Sequence, residues 1–148
     1  MGRAIAGLAS KDSLFALGAV FEVLGHEAIG RDYAAILGCS PNLGVQVSDD
    51  ARASISHGDV LMDFTVPEAT RNHVQLAQEL RKPMVIGTTG LSGAQEGVLR
   101  AAARVIPIVW SPNMSVGVNV LFELAQTAAQ RLGPGYDVEV LESHHRQK

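Results

Sequence analysis

Asp59-Val60-Leu61-Met62-Asp63-Phe64-Thr65-Val66-Pro67-Glu68 is the stretch on which the fold of this 148-residue chain turns. Asp59 to Phe64 is a short, mostly apolar run, the pattern of a strand buried on both faces. It runs directly into Thr65, Val66 and Pro67, and proline, with its fixed φ and missing N–H, suits the first turn of a helix. Beyond Pro67, His73, Val74, Leu76, Ala77 and Leu80 share one face, which predicts a helix ending near Arg81 and Lys82, where cations complement the helix dipole. The unit is therefore strand, short loop, helix.

Working outward, the same alternation continues. Pro83 to Ile86 predicts a strand, Gly87-Thr88-Thr89-Gly90 a turn, Ser92 to Arg104 a helix, and Pro107 to Trp110 the next strand. A helix from about Ser115 to Arg131 breaks at Gly133-Pro134-Gly135 and gives way to an alternating segment, Asp137 to Glu142, that reads as a strand. Toward the N-terminus, Gly2 to Leu8 has helical spacing. Leu17 to Phe21 reads as a strand ending at Glu22, and Gly25 to Gly44 as loop. Val45 and Val47 suggest a brief strand, and Ser48 the N-cap of a short helix. Short buried strands alternating with helices define an α/β protein with a Rossmann-like, doubly wound parallel sheet, in which working residues gather at the carboxyl ends of the strands.

Composition narrows the function classes. With 47% hydrophobic and 18% charged residues, the chain can bury a real core. Twelve basic against fifteen acidic residues leave a net charge of −3. That charge, with no long basic run, argues against nucleic acid as a partner. No apolar run reaches membrane-spanning length. One cysteine, Cys39, excludes an internal disulfide, and no secretion signal is evident, so cytoplasmic localisation is expected.

Four strand ends hold candidate chemistry: Glu22, Thr65, the Gly87 to Gly90 turn, and Ser111 to Asn113. Glu22 lies 20 residues after Gly2, the spacing at which an acid can accept hydrogen bonds from an adenosine ribose; its plainer reading is a solvated loop carboxylate. Val23 follows it rather than a cation, which favours NADH over NADPH. Glycines in the Gly87 to Gly90 turn admit close approach of a ring or phosphate, with threonine hydroxyls as donors; a tight turn alone would also account for them. Ser115 can cap a helix, which explains part of the Ser111 to Ser115 segment. The tail, Glu142 to Lys148, concentrates ionisable groups suited to proton transfer. Its plainer reading is a solvated terminus, and two histidines are too few for a purification tag. Adjacent histidines on an extended segment point to opposite sides, so no metal site is expected. His26, His57 and His73 read as structural or surface residues.

Taken together, Asp63 to Glu68, Val85 to Gly90, Asn113 to Asn119 and Glu142-Ser143-His144-His145-Arg146-Gln147-Lys148 closely resemble the dihydrodipicolinate reductase family, the 4-hydroxy-tetrahydrodipicolinate reductases of lysine and diaminopimelate biosynthesis. The resemblance implies NADH- or NADPH-dependent reduction of a cyclic dicarboxylate. His144 and Lys148 match the family's catalytic residues, and His145 a substrate contact. Met1, Glu22, Gly87, Thr88, Thr89, Ser111, Pro112, Asn113 and Met114 match cofactor-binding positions. The implied domains are a dinucleotide-binding domain over 1–112 and the start of an α+β substrate-binding and tetramerisation domain over 113–148, with a homotetramer in the complete family. Of the family's opening strand and glycine turn only Met1-Gly2-Arg3 is present, and the serine-glycine-threonine segment beyond the lysine is absent. The chain thus resembles the interior of a longer reductase; a catalytically incomplete nucleotide-binding or interaction fragment is the alternative.

Overall fold

A computed structural model describes residues 1–39, 42–141 and 143. The chain divides into two compact units, Met1–Pro112 and Asn113–Lys148.

The first unit opens with α1 (Gly2–Ala9), followed by β1 (Val20–Phe21), α2 (Tyr33–Leu37), β2 (Val47–Ser48) and α3 (Ala51–His57). It continues through β3 (Leu61–Asp63), α4 (Pro67–Glu79), β4 (Met84–Ile86), α5 (Gly93–Ala102) and β5 (Ile108–Trp110). Every strand pairing is parallel, as the alternating pattern predicts. The strands nevertheless fall into two sheets, β1-β2 and β3-β4-β5, because β1 pairs only with β2, and β3 only with β4.

The three-stranded sheet carries the larger core. Met84 and Ile86 lie two residues apart on one face of β4, and both are buried. They pack with Val74 and Ala77 of α4, Leu99 and Ala102 of α5, and Ile106. The helix residues sit at i and i+3, the spacing that aligns side chains on one helical face. The opposite face of the sheet presents a lateral row, Met62, Val85 and Val109, of which Met62 and Val109 are exposed. A smaller core of Ala6, Ala28, Tyr33 and Val47 supports β1-β2. An Arg52 to Glu79 ion pair ties α3 to α4.

Several element ends differ from the sequence reading for identifiable reasons. Helix α4 stops at Glu79, and Arg81, with φ of 57°, takes the left-handed position past its end. Arg81 and Lys82 donate backbone N–H groups back to Gln78 and Ala77, at 3.3 and 2.9 Å. These are the two bonds that close a Schellman motif, so the cations sit beyond the last turn rather than in it. Asp50, not Ser48, caps α3, its carboxylate accepting from Ala53 N–H at 2.9 Å. Ser48 belongs to β2, and its hydroxyl accepts from Asp50 N–H. The glycine-rich stretch contains α2, capped by Asp32, whose carboxylate also accepts from the Leu43 and Gly44 amides across the loop. The Ala34 amide first, with those of Leu43 and Gly44, holds the Asp32 carboxyl below its ordinary value.

The second unit contains α6 (Val116–Leu132), capped by Ser115, and a 3₁₀ turn at Gly133–Gly135. No residue of α6 is buried; Val120, Leu121, Phe122 and Leu124 are all exposed. The strand expected over 137–142 does not form among the described residues, where 137–141 have no partner strand. Without a neighbour's amides and carbonyls, alternation alone does not hold a strand. No helix among the described residues is long and apolar enough to cross a membrane.

Candidate functional site at the strand ends

The carboxyl ends of β3, β4 and β5 lie side by side in register, Asp63 beside Ile86 and Ile86 beside Trp110. The loops that leave them therefore converge. Gly87 N–H donates to the Asp63 carbonyl at 2.9 Å, and Ser111 N–H to the Ile86 carbonyl at 3.2 Å, extending the pairing one residue beyond the strands.

Gly87 is required by contact. A Cβ built there would fall 2.0 to 2.7 Å from three atoms of the Phe64 ring. Phe64 thus lies across the backbone at the start of the turn, which only glycine permits. Gly90, with φ of 77°, ends the turn in open space.

Beneath the turn lies a polar cluster, all within the first unit. The Asp63 side chain has no exposed surface. Its Oδ2 accepts from His73 Nδ1 at 3.0 Å, and its Oδ1 from the Thr65 hydroxyl at 2.6 Å and the Thr65 amide at 3.1 Å. An ionised carboxylate only accepts, so His73 carries its proton on Nδ1. The Thr88 hydroxyl accepts from Thr65 N–H at 3.1 Å and from the Thr70 hydroxyl at 2.8 Å, and its own hydrogen is aimed at Asp63 Oδ1, 3.5 Å away. Burial alone would push the Asp63 carboxyl up. Hydrogen bonds from His73 and Thr65, with the charge of His73, outweigh it and hold the group below its ordinary value. The His73 ring also meets Phe21, at the end of β1, edge to face with centroids 5.1 Å apart.

The structure therefore gathers Gly87, Thr88, Thr89 and Ser111, and adds Asp63, Phe64, Thr65, Thr70 and His73. His73 was read from sequence as a structural or surface residue, yet it is paired with a buried acid. The available signal was a histidine within the apolar stripe of α4, facing a strand that ends in aspartate. Thr88 is buried with its hydroxyl committed inside the protein, whereas Thr89 is exposed. Among the described residues, nothing accepts from the Thr88 and Thr89 amides. The turn thus offers backbone donors, which fits the amide or phosphate groups of a dinucleotide.

Glu22 lies elsewhere in the unit, at the end of β1, with its N–H donating to the Ser48 carbonyl at 2.9 Å. It lines a cavity of about 390 Å³ with Arg3, His26, Arg31 and Tyr33. Burial raises the Tyr33 phenol pKa; the nearby Glu22 charge adds to the shift and Arg3 opposes it. Cations therefore stand around Glu22 even though Val23 follows it. Arg3 donates to the Ile36 carbonyl at 2.6 Å. Met1 precedes α1 and is exposed.

Pro112 ends the first unit and Asn113 begins the second. Asn113 Oδ1 accepts from Ser115 N–H, and the Asn119 amide donates to the Asn113 carbonyl, each at 2.9 Å. Met114 is exposed. His144, His145 and Lys148 lie outside the described residues.

Parallel strands whose loops converge on a glycine turn place the first unit among Rossmann-like α/β domains. The family is more specific. Residues 1–114 match the model for the dihydrodipicolinate reductase N-terminus and residues 117–148 that for its C-terminus, and the chain belongs to this family. It is 47% identical over 148 residues to 4-hydroxy-tetrahydrodipicolinate reductase of Aromatoleum aromaticum, covering all of this chain and 53% of that protein. Against the Ralstonia pickettii reductase it is 48% identical over 132 residues, 89% of this chain and 49% of the relative. The chain thus spans about half the length of these relatives. Its fold resembles a dipicolinate-bound dihydrodipicolinate reductase from Paenisporosarcina sp. TG-14, with a TM-score of 0.67 at 24% identity over 86% of this chain and 48% of that one.

Proposed function

We propose that this chain carries the cofactor-binding part, and the start of the substrate-binding part, of an NADH- or NADPH-dependent 4-hydroxy-tetrahydrodipicolinate reductase of lysine and diaminopimelate biosynthesis. The observation that carries the reading is the Gly87 turn, held at the carboxyl end of the middle strand with two backbone amides free to donate. The cofactor, when bound, supplies a hydride. The Thr88 and Thr89 amides and the Ser111 to Met114 segment would hold its nicotinamide end, and Glu22 the adenosine ribose, with Met1 at the start of α1. His144 and Lys148, by resemblance, place positive charge beside a dianionic cyclic substrate and deliver a proton, while His145 binds it. Residues 1–112 form the dinucleotide-binding domain in this reading, 113–148 begin the substrate domain, the complete protein is a homotetramer, and its site of action is the cytoplasm.

The test is NADH oxidation by the 148-residue chain, with substrate generated freshly from aspartate semialdehyde and pyruvate. Turnover above the enzyme-free rate is expected where the site assembles, and Lys148→Ala should abolish most of it while NADH binding persists. Unchanged turnover in that variant would remove Lys148 from the reaction. NADH binding with no turnover would assign the chain the second reading, a nucleotide-binding piece.

Cofactor preference is a separate expectation. With Val23 after Glu22, NADH should bind at least as well as NADPH at matched salt. A tenfold preference for NADPH, about 1.4 kcal/mol, would instead assign the 2′-phosphate to Arg3 or Arg31.

A further inference from the structure

The Asp63 cluster links two loops and a helix beneath the Gly87 turn. It joins a fully buried carboxylate, a histidine and three threonine hydroxyls; the bonds of Thr65 and Thr88 lie in the loops that leave β3 and β4, and the His73 bond ties Asp63 to α4. Thr65 and Thr88 come from different loops, and they are joined twice: directly, amide to hydroxyl, and through the shared carboxylate. His73 and Thr70, both on α4, hold the other side. The turn is also tied on its outer side, where Trp110 Nε1 donates to the Thr88 carbonyl at 3.3 Å. With hydroxyl and carbonyl both occupied, the remaining polar group of Thr88 is its amide.

We propose that Asp63, oriented by His73, is a positioning residue: through Thr65 and Thr88 it fixes the direction of the Thr88 and Thr89 amides, and so the geometry in which the turn grips a nicotinamide cofactor. This rests on reading the turn as the cofactor site. A carboxylate suits the task because it accepts several hydrogen bonds at once. Donors from strand loop, turn and helix can therefore share one acceptor, and bonds to a charged group are stronger than neutral ones. Removing the charge or the Thr88 hydroxyl frees the turn to rotate without emptying the apolar core beneath it.

Trp110 is the only tryptophan in the chain and contacts Thr88 directly, so its emission reports the turn whether or not a cofactor binds. The experiment compares Thr88→Val, Thr88→Ser and Asp63→Asn with the parent 148-residue chain, reading Trp110 emission, acrylamide quenching, far-ultraviolet circular dichroism and NADH affinity. Thr88→Val should shift Trp110 emission to the red and raise its quenching with helicity unchanged, and should weaken NADH binding about tenfold or more, as loss of a hydrogen bond to a charged network implies. Thr88→Ser, which keeps the hydroxyl, should restore both. Unaltered Trp110 signals in Thr88→Val overturn the proposal, as does an altered Trp110 with unaltered NADH affinity. Should Asp63→Asn fail to fold, the threonine pair decides alone. A parent chain that binds no NADH refutes the cofactor reading of the turn, while the Trp110 signals still decide whether the cluster positions it.

Discussion

Gly87→Ala should lower the melting temperature and sharply weaken NADH binding, because the added methyl would stand 2.0 Å from the nearest atom of the Phe64 ring. Relief requires the ring to swing away or the turn to lift from the sheet. Overpacking of this kind costs about 1–3 kcal/mol. Lifting the turn also breaks the bond in which Gly87 N–H meets the Asp63 carbonyl, and that carries the neighbouring amides out of place. Phe64→Leu offers a smaller partner. In a double-mutant cycle the Phe64→Leu, Gly87→Ala pair should be more stable than the sum of its single changes predicts, since the two sites touch. Strict additivity, or a Gly87→Ala variant that melts with the parent, would show that the ring does not constrain the turn.

Asp63→Ala should be the most destabilising single change in the cluster. It leaves His73 and the Thr65 and Thr88 donors without their charged acceptor, and stranding buried donors in this one-sided way costs about 1–3 kcal/mol or more. That is a large share of the total stability of a domain this size, about 5–15 kcal/mol. The same group dictates an acid response. Because the folded protein holds the Asp63 carboxyl below its ordinary value of 3.8, the ionised form is favoured by folding. Its contribution is present in full above the range in which an unfolded aspartate titrates, and it is lost as pH falls below about 4 and through the folded value. Stability measured in urea should therefore decline with pH through this range in the parent, and less steeply in Asp63→Asn. Parallel pH profiles would show that Asp63 does not carry the response.

Much of this architecture is legible in the sequence where the pattern is long. The Pro67 helix, the strand before it, the capped helix after Ser92 and the Ser115 helix all follow from periodicity and end signals. α2 escaped because five residues are too few to show a period, although Asp32 and Gly38 are proper start and stop residues. The C-terminal strand was misread because alternation reports which face a side chain would take, and not whether a partner strand exists. The division into two sheets was equally invisible, since pairing is a relation between distant segments. At the site, the glycine and threonine residues announced themselves, but their roles did not. Thr88 looked like a hydroxyl donor and instead spends its hydroxyl internally. His73 looked inert because its partner, Asp63, lies ten residues back across a loop and a helix turn.

The order β3-β4-β5 in the sheet is also their order along the chain, with α4 and α5 as the only crossovers between them. Each pairing therefore joins chain neighbours across a single helix, Leu61 to Met84 and Met84 to Ile108. Residues 61–110 carry the larger core without help from the β1-β2 pair, whose own core is smaller and built from separate residues. The two cores share no residue, so the β3-β4-β5 amides are expected to outlast those of β1-β2 in hydrogen exchange, and equal protection would show that the two open together. The Gly87 turn follows β4 of the larger core, and Glu22 follows β1, beside the smaller one. On the proposed cofactor reading, the two ends of one extended ligand would be held by regions of unequal stability, and its adenosine end would be the first to let go.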